Sequence, residues 1–345
     1  MGHSEQNKEQ CKGWAAESFR AEVIEFLRRS LNAQAAPFSE TECCNALYFP
    51  KQRLSIVLIA IENHPYPADS CSQERECEIE QIESYLIKEL GALKIIYLYE
   101  DRWRAAPEVT RQRVLCSLGC FKSVYARSCK LLSYFNLQEF GLSRTAFENK
   151  IKRFLTNYHS YGYLKSDYLY ALLYRESIVA AASFSKLAGP NSYEWTRYAS
   201  LPDMRVAGGM GKICNAFLED IKKTKSGIDI KSYEVERYEN KIEENAAPIE
   251  IITYSDCEWG NGEAYAKLGF KQVGGVPPII YHIDMKSHKR LNQREFKAIN
   301  QAADSQNTNF IQIRNRGSIK WRKLYSEKIL NPNSDGTVQI TGTKQ

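Results

Sequence analysis

The stretch that decides the fold reads Tyr193-Glu194-Trp195-Thr196-Arg197-Tyr198-Ala199-Ser200, and a few residues on Arg205-Val206-Ala207-Gly208-Gly209-Met210-Gly211-Lys212. Aromatic residues and threonine in the first part predict a strand. The glycine pair predicts a turn, and Gly208–Asp220 predicts an amphipathic helix. Strand, glycine turn and helix start together present unpaired backbone N–H groups and the positive end of a helix dipole. Such a place suits an anion such as a pyrophosphate. The same pattern has a plainer explanation, since glycine at a strand-to-helix turn relieves backbone crowding.

Upstream, Ser143–Asn157 predicts a helix with Ser143 as N-cap. Tyr168–Arg175 and Ile178–Ser185 predict strands joined by a tight Arg175-Glu176-Ser177 turn. Downstream come a strand at Ile249–Tyr254, a helix at Asn261–Leu268 closed by Gly269, and a strand at Lys271–Asp284 bent at Pro277-Pro278. The order is β-β-β-α-β-α-β. Residues 222–248 are charged and poor in apolar side chains, as an insertion would be. The tail adds a basic helix at Gln293–Gln301 and a strand pair near Phe310–Arg314 and Ser318–Leu324.

The N-terminal part predicts a helix at Ala15–Leu31 and a hairpin of Asn45–Phe49 and Leu54–Ile61. An acidic helix at Glu74–Leu90, a strand at Leu93–Tyr99, a helix at Pro107–Leu118 and a short strand at Ser123–Leu131 follow. The expected division is 1–14 disordered, 15–131 a small α/β unit, 132–285 a mixed-sheet unit, 286–330 a basic extension and 331–345 a disordered tail.

With 43% hydrophobic and 26% charged residues among 345, the chain has enough apolar material for a core, so it is not disordered throughout. Its longest apolar runs, Ile56–Ile61 and Ile178–Ala182, are far short of the roughly 18 residues a membrane span needs. The polar N-terminus carries no secretory pattern. None of the close pairs among the ten cysteines has the CxxC spacing of a zinc site, so reduced thiols and a reducing compartment, cytoplasmic or organellar, are expected. Charge is uneven. Residues 60–101 hold 10 acids and 3 bases, whereas 102–153 and 286–330 each hold 11 bases and 3 acids. Two basic blocks suggest a polyanion partner.

Arg205 and Gly208, with Tyr265-Ala-Lys-Leu-Gly269-Phe270 downstream, make residues 168–284 resemble the GNAT acyltransferase fold. The resemblance implies that Arg205, Val206, Ala207, Gly208, Gly209 and Gly211 cradle the pyrophosphate of acetyl-CoA. It also implies that Tyr265 protonates the departing thiolate. Met210 departs from the pattern, which wants glycine or alanine there. No clear glutamate base stands out, although Glu194 and Glu258 lie nearby.

A wider resemblance rests on Glu194-Trp-Thr-Arg197, Val206-Ala-Gly-Gly209, Tyr254-Ser-Asp256-Cys-Glu-Trp259-Gly-Asn-Gly262 and Arg316-Gly-Ser-Ile-Lys-Trp321. Over residues 46–324 the chain looks like phage Hef-like homing endonucleases, whose N-terminal half is a Vsr-like PD-(D/E)xK nuclease. The fold class implied is α/β (α+β): a small degenerate restriction-endonuclease-like domain followed by a GNAT-like mixed-sheet domain. Nuclease chemistry needs carboxylates to hold Mg²⁺. Here the two carboxylate positions are Ala46 and Val57, and His64 aligns with the family's histidine. An alanine and a valine cannot bind a metal, so no metal site is expected unless one has migrated to Glu42, Glu62 and His64.

The leading expectation is therefore a catalytically inactive, nuclease-derived protein without a cofactor that binds DNA, RNA or a ribonucleoprotein. Its phosphate contacts are expected from Arg102, Arg104, Arg111, Arg113, Arg127 and Lys130 in the first block. The second block offers Arg290, Arg294, Lys297, Arg314, Arg316, Lys320 and Arg322. Trp103, Tyr125, Trp321 and Tyr325 are candidates to stack on bases, or else to pack in the core. The alternatives are an acyl-CoA-dependent N-acyltransferase of GNAT type, with acetyl-CoA as cofactor, and a structural subunit of a large complex.

Overall fold

The computed structural model describes residues 17–31, 38–41, 45–61, 72–225, 248–302 and 310–325. The expected insertion at 222–248 lies mostly outside these residues, as do Glu42, Glu62 and His64.

The chain begins with helix α1 (Glu17–Ser30), which buries Phe19, Val23, Ile24 and Leu27 on one stripe. Strands β1 (Ser39–Thr41), β2 (Ala46–Phe49) and β3 (Leu54–Ile59) pair antiparallel in sequence order. Helix α2 (Ser72–Lys88) then crosses over to β4 (Lys94–Tyr99), which runs parallel to β3. All six β3 residues are buried, as a strand covered on both faces requires. Helices α3 (Glu100–Ala105) and α4 (Pro107–Ser117) follow, the latter opening on proline. One sheet face carries Leu54, Ile56 and Leu58 and packs on Phe19, Val23 and Leu27 of α1 and on Trp103 and Val114. The other carries Ala46, Val57, Tyr97 and Tyr99 and packs on Ile82 and Leu86 of α2 and on Ile283 and Ile313 from near the C-terminus.

The expected single strand at Ser123–Leu131 is two strands, β5 (Lys122–Tyr125) and β6 (Lys130–Ser133), separated by a 3₁₀ turn. The expected division at residue 131 thus falls inside β6. Helix α5 (Arg144–Tyr158) starts as expected, with the Ser143 hydroxyl accepting from the Ala146 N–H at 3.2 Å. Strands β7 (Tyr168–Tyr174) and β8 (Ser177–Lys186) are joined by Arg175 and Glu176, both at positive φ, the conformation of a two-residue hairpin turn. Then come β9 (Ser192–Ser200), β10 (Met204–Ala207), α6 (Gly209–Lys225), β11 (Ile249–Asp256), α7 (Glu263–Lys267) and β12 (Lys271–Val276). The chain continues through β13 (Ile280–Asp284), β14 (Arg290–Leu291), α8 (Gln293–Ala302), β15 (Phe310–Arg314) and β16 (Ser318–Tyr325).

Seven strands form one mixed sheet in the order β12-β16-β11-β9-β8-β7-β6. Within it β9 and β11 are parallel neighbours, and the other pairs are antiparallel. Helix α5 covers one face through Phe147, Ile151, Phe154 and Leu155. Helix α6 covers the other, its Phe217 stacked on Phe184 with ring centroids 4.1 Å apart. Each such fully buried side chain contributes about 1.5–3 kcal/mol. This seven-stranded unit is set in a mixed α/β chain.

Two strand expectations need correction. Lys271–Asp284 is not one bent strand, because β12 lies in the seven-stranded sheet and β13 in a separate sheet ordered β14-β13-β15. Phe310–Arg314 and Ser318–Leu324 are not partners either. Strand β15 pairs with β13, whereas β16 inserts between β12 and β11. Gly317, at φ 70°, turns the chain from one sheet to the other, and a Cβ there would lie 2.4 Å from the Val276 carbonyl. Strand β16 brings Trp321 and Tyr325 into the α6-side core, so the basic extension completes the seven-stranded sheet.

Candidate active site

The parallel pairing of β9 with β11 runs from Ser192 and Glu250 to Trp195 and Thr253, and goes no further. Both strands continue, to Ser200 and Asp256, so they separate. The cause is local. Against β8, Ser183 pairs with Arg197 and Phe184 with Trp195, leaving Thr196 as an extra residue. Such a bulge bends the strand and sharpens its twist. The Thr196 hydroxyl holds the bulge through the Ser183 carbonyl, at 3.0 Å, and the Ser183 hydroxyl, at 2.7 Å.

A cavity of about 600 Å³ occupies the opening. Its walls are residues 194–202 of and after β9, Tyr254, Ser255 and Asp256 of β11, and Tyr265 of α7. Arg113 and Cys116 of α4 and residues 158–161 after α5 close it. That volume suits a small-molecule site.

Tyr265 is positioned by Gly262, the residue before α7. Gly262 sits at φ 75°, and a Cβ there would lie 2.6 Å from the Ser255 hydroxyl and from the Trp321 indole nitrogen. Only glycine lets the helix start this close to the sheet. The Tyr265 ring meets Trp195 edge-on at 5.8 Å. Burial raises its pKa, and the neighbouring Thr253 partly offsets this, so the phenol keeps its proton at neutral pH. Glu194 and Asp256 bring carboxylates to the same cavity. His159 is pushed down to about 3, by burial first and then by Arg197, Arg113 and Arg102. Its Nδ1 accepts from the Tyr161 N–H at 3.1 Å, which leaves the neutral ring's proton on Nε2. The ring therefore offers a donor and not a base.

The glycine turn stands apart from this cavity, whose walls do not include Arg205 or Gly208–Gly211. Strand β10, which leads into the turn, is zipped in parallel to β5. Gly208, at φ 77°, has the Ala126 methyl 3.6 Å from where its Cβ would be. A Cβ on Gly209 would lie 3.0 Å from the Tyr198 hydroxyl, and one on Gly211 would lie 3.5 Å from Leu268. Met210 packs on the core, and the Lys212 ammonium donates to the Ala126 and Cys129 carbonyls at 3.1 and 2.6 Å. Arg205 is exposed beside Phe121. At the turn itself Gly208 is exposed and Gly211 half-buried, and the first-turn amides of a helix have no intrahelical partner.

The basic residues divide. Arg290 is only 4% exposed and bonds Asp101 and Glu258, each at 2.5 Å. Arg316 bonds Glu83 at 2.8 Å and lies over the Tyr97 ring. Arg104 and Arg111 bond Glu22, and Arg102 and Arg113 bond Ser160. Arg314 and Lys320 are half-buried, and Arg322 lies 3.7 Å from Glu250. Arg127, Lys130, Arg294 and Lys297 are exposed. Trp103, Trp321 and Tyr325 are core residues, while Tyr125 is exposed. Sequence reasoning missed the part played by residues 158–161, and it assigned Arg113 to an outer surface. Only the fold brings them to β9.

No family model and no curated protein matches this chain. The solved structures to which part of the chain is similar include acetyltransferases. A GNAT family acetyltransferase from Elizabethkingia anophelis with acetyl-CoA bound is 11% identical, covering 57% of this chain and 98% of its own, with a TM-score of 0.31. A Bacillus subtilis acetyltransferase in complex with CoA is 12% identical over 56% and 97%, with a TM-score of 0.29. The ribosomal-protein-S18-alanine N-acetyltransferase of Escherichia coli is 12% identical over 57% and 94%, with a TM-score of 0.29.

The expectation of an inactive nuclease that binds nucleic acid through basic blocks is corrected here. The solved structures named above are acetyltransferases and none is a nuclease. Ala46 and Val57 face each other across β2 and β3 under Ile283 and Ile313, so the hairpin face is packed shut. Several arginines assigned to a basic surface are spent on internal ion pairs. Among the described residues, no helix is long and apolar enough to cross a membrane.

Proposed function

We propose that the chain is a GNAT-type acyltransferase that moves an acyl group from a thioester, acetyl-CoA in the simplest case, to an amine held between β9 and β11. One observation carries the reading: the two strands part after Trp195 and Thr253 over a cavity that Tyr265 lines. The thioester supplies the activated acyl group; one C–N bond forms, one C–S bond breaks, and a proton passes from the amine side to the departing sulfur.

The protein's part is to hold, dry and protonate. Tyr265 enters the cavity with its proton retained by burial and is the donor to the leaving sulfur. Glu194, which lines the cavity, is assigned in this reading to take the amine's proton. Trp195, Tyr198 and Trp259 line the cavity with aromatic surface and limit water. Because the glycine turn does not line this cavity, the reading assigns binding to the thioester arm more than to the nucleotide. Calorimetric titration with acetyl-CoA and with S-acetyl-pantetheine tests it. Saturable binding of both supports the reading, and binding of neither sinks it.

A further inference from the structure

A second cavity, of about 490 Å³, adjoins the first: Arg113, His159, Ser160, Tyr161 and Arg197 line both. Three arginines from three elements meet there. Arg102 of α3 donates to the Ser160 carbonyl at 2.9 Å, Arg113 of α4 to the Ser160 hydroxyl, and Arg197 of β9 to the Gly162 carbonyl at 3.0 Å. These partners are neutral. The carboxylates of Asp101 and Glu258 are engaged by Arg290 at 2.5 Å, and Glu258 also forms a longer ion pair with Arg102, at 3.8 Å. The Arg102 Nη2 group is buried without a hydrogen-bond partner. All three guanidiniums act on His159 in the direction that keeps it uncharged, while Asp256 and Glu258 act on Arg113, and Glu194 on Arg197, with the opposite sign.

We infer that this junction is an anion subsite, in which Arg102, Arg113 and Arg197 hold a carboxylate or phosphate carried by the acceptor. The inference rests on the acyl-transfer reading for the word acceptor, though not for the subsite itself. Guanidinium forks suit both anions, and charge-assisted bonds to them are stronger than bonds to neutral carbonyls. An anion here would take up the orphaned Arg102 donor and place an attached amine toward Glu194 and Tyr265, across the shared wall.

The test is titration of the full chain with inorganic phosphate and, separately, acetate, against sodium chloride at matched ionic strength. The readout is the His159 imidazole NMR signal, assigned by its absence in His159→Asn. The inference expects a saturable shift with at least one anion, and the stronger of the two names the group. Arg102→Met is expected to weaken it about tenfold or more, Arg102→Lys less, and Arg127→Met not at all. A shift no different from chloride, or an unaltered affinity in a folded Arg102→Met protein, overturns it. Thiol release from acetyl-CoA is followed in parallel. Anion binding without thiol release would sink the transferase reading and keep the subsite. Thiol release to simple and anionic amines alike, with no anion shift, would do the reverse.

Discussion

The Thr253 hydroxyl donates to the Trp195 carbonyl at 3.0 Å, on the last rung before β9 and β11 part. The same threonine lies beside the Tyr265 phenol and offsets part of the upward push that burial gives its pKa. One side chain therefore marks where the cleft begins and adjoins the proposed acid. Thr253→Val keeps the shape and removes the hydroxyl. It is expected to cost about 1 kcal/mol of stability, read by urea unfolding, and to slow acyl transfer by roughly tenfold.

Gly262→Ala is expected to be severe. The residue sits at φ 75°, which costs a side chain about 1–2 kcal/mol, and the added methyl meets Ser255 and Trp321 at 2.6 Å. Overpacking adds about 1–3 kcal/mol. Gly274→Ala, with nothing within 4 Å, is the comparison. Urea midpoints that fall equally in both would refute the account of how α7 is seated.

Arg290 joins the C-terminal segment to the N-terminal sheet. Burial opposes its charge, and Asp101 and Glu258 more than offset that. Arg290→Met strands two carboxylates that are each 1% exposed. A loss of about 3–5 kcal/mol is expected, measurable as a lower midpoint in denaturant. A change under about 1 kcal/mol would show that the pair is not buried in solution.

His159 sets an acid limb. Its folded pKa, about 3, lies below the ordinary value of 6.5. Below pH 6.5 the unfolded chain binds the proton first. Its contribution to stability is whole above that pH and is lost as pH falls toward 3. The groups facing it, Arg197, Arg113 and Arg102, stay charged throughout this window. His159→Gln should flatten the fall in thermal midpoint between pH 6.5 and 3, and an unchanged slope would contradict the assignment.

The glycine turn does not line the cavity between β9 and β11. Removing the nucleotide from the donor should therefore cost little. KM for S-acetyl-pantetheine is expected within about tenfold of that for acetyl-CoA, or about 1.4 kcal/mol. A hundredfold gap would mean that the turn holds the pyrophosphate.

Much of the fold was legible in local pattern. Alternating strands, the Ser143 cap and the glycine turn were all read at nearly their observed bounds, because each signal lies within a few residues. The place of β16 was not. Its Trp321 and Tyr325 alternate with basic residues, so the segment reads as a charged tail, and nothing local says that it inserts between β11 and β12. Charge counting failed for a similar reason. Arg290 and Asp101 lie 189 residues apart in sequence, and only the fold shows that they cancel. Tyr265 was found by its motif, whereas residues 158–161 belong to the site through tertiary placement alone.

The central claim is tested most directly by single-turnover thiol release from acetyl-CoA in the presence of glutamate or another anionic amine, comparing the native chain with Tyr265→Phe. The account predicts measurable release that falls by roughly 10²–10⁴-fold in the variant, with the urea midpoint nearly unchanged. Release at the buffer rate in the native chain, or equal rates in both proteins, would contradict it.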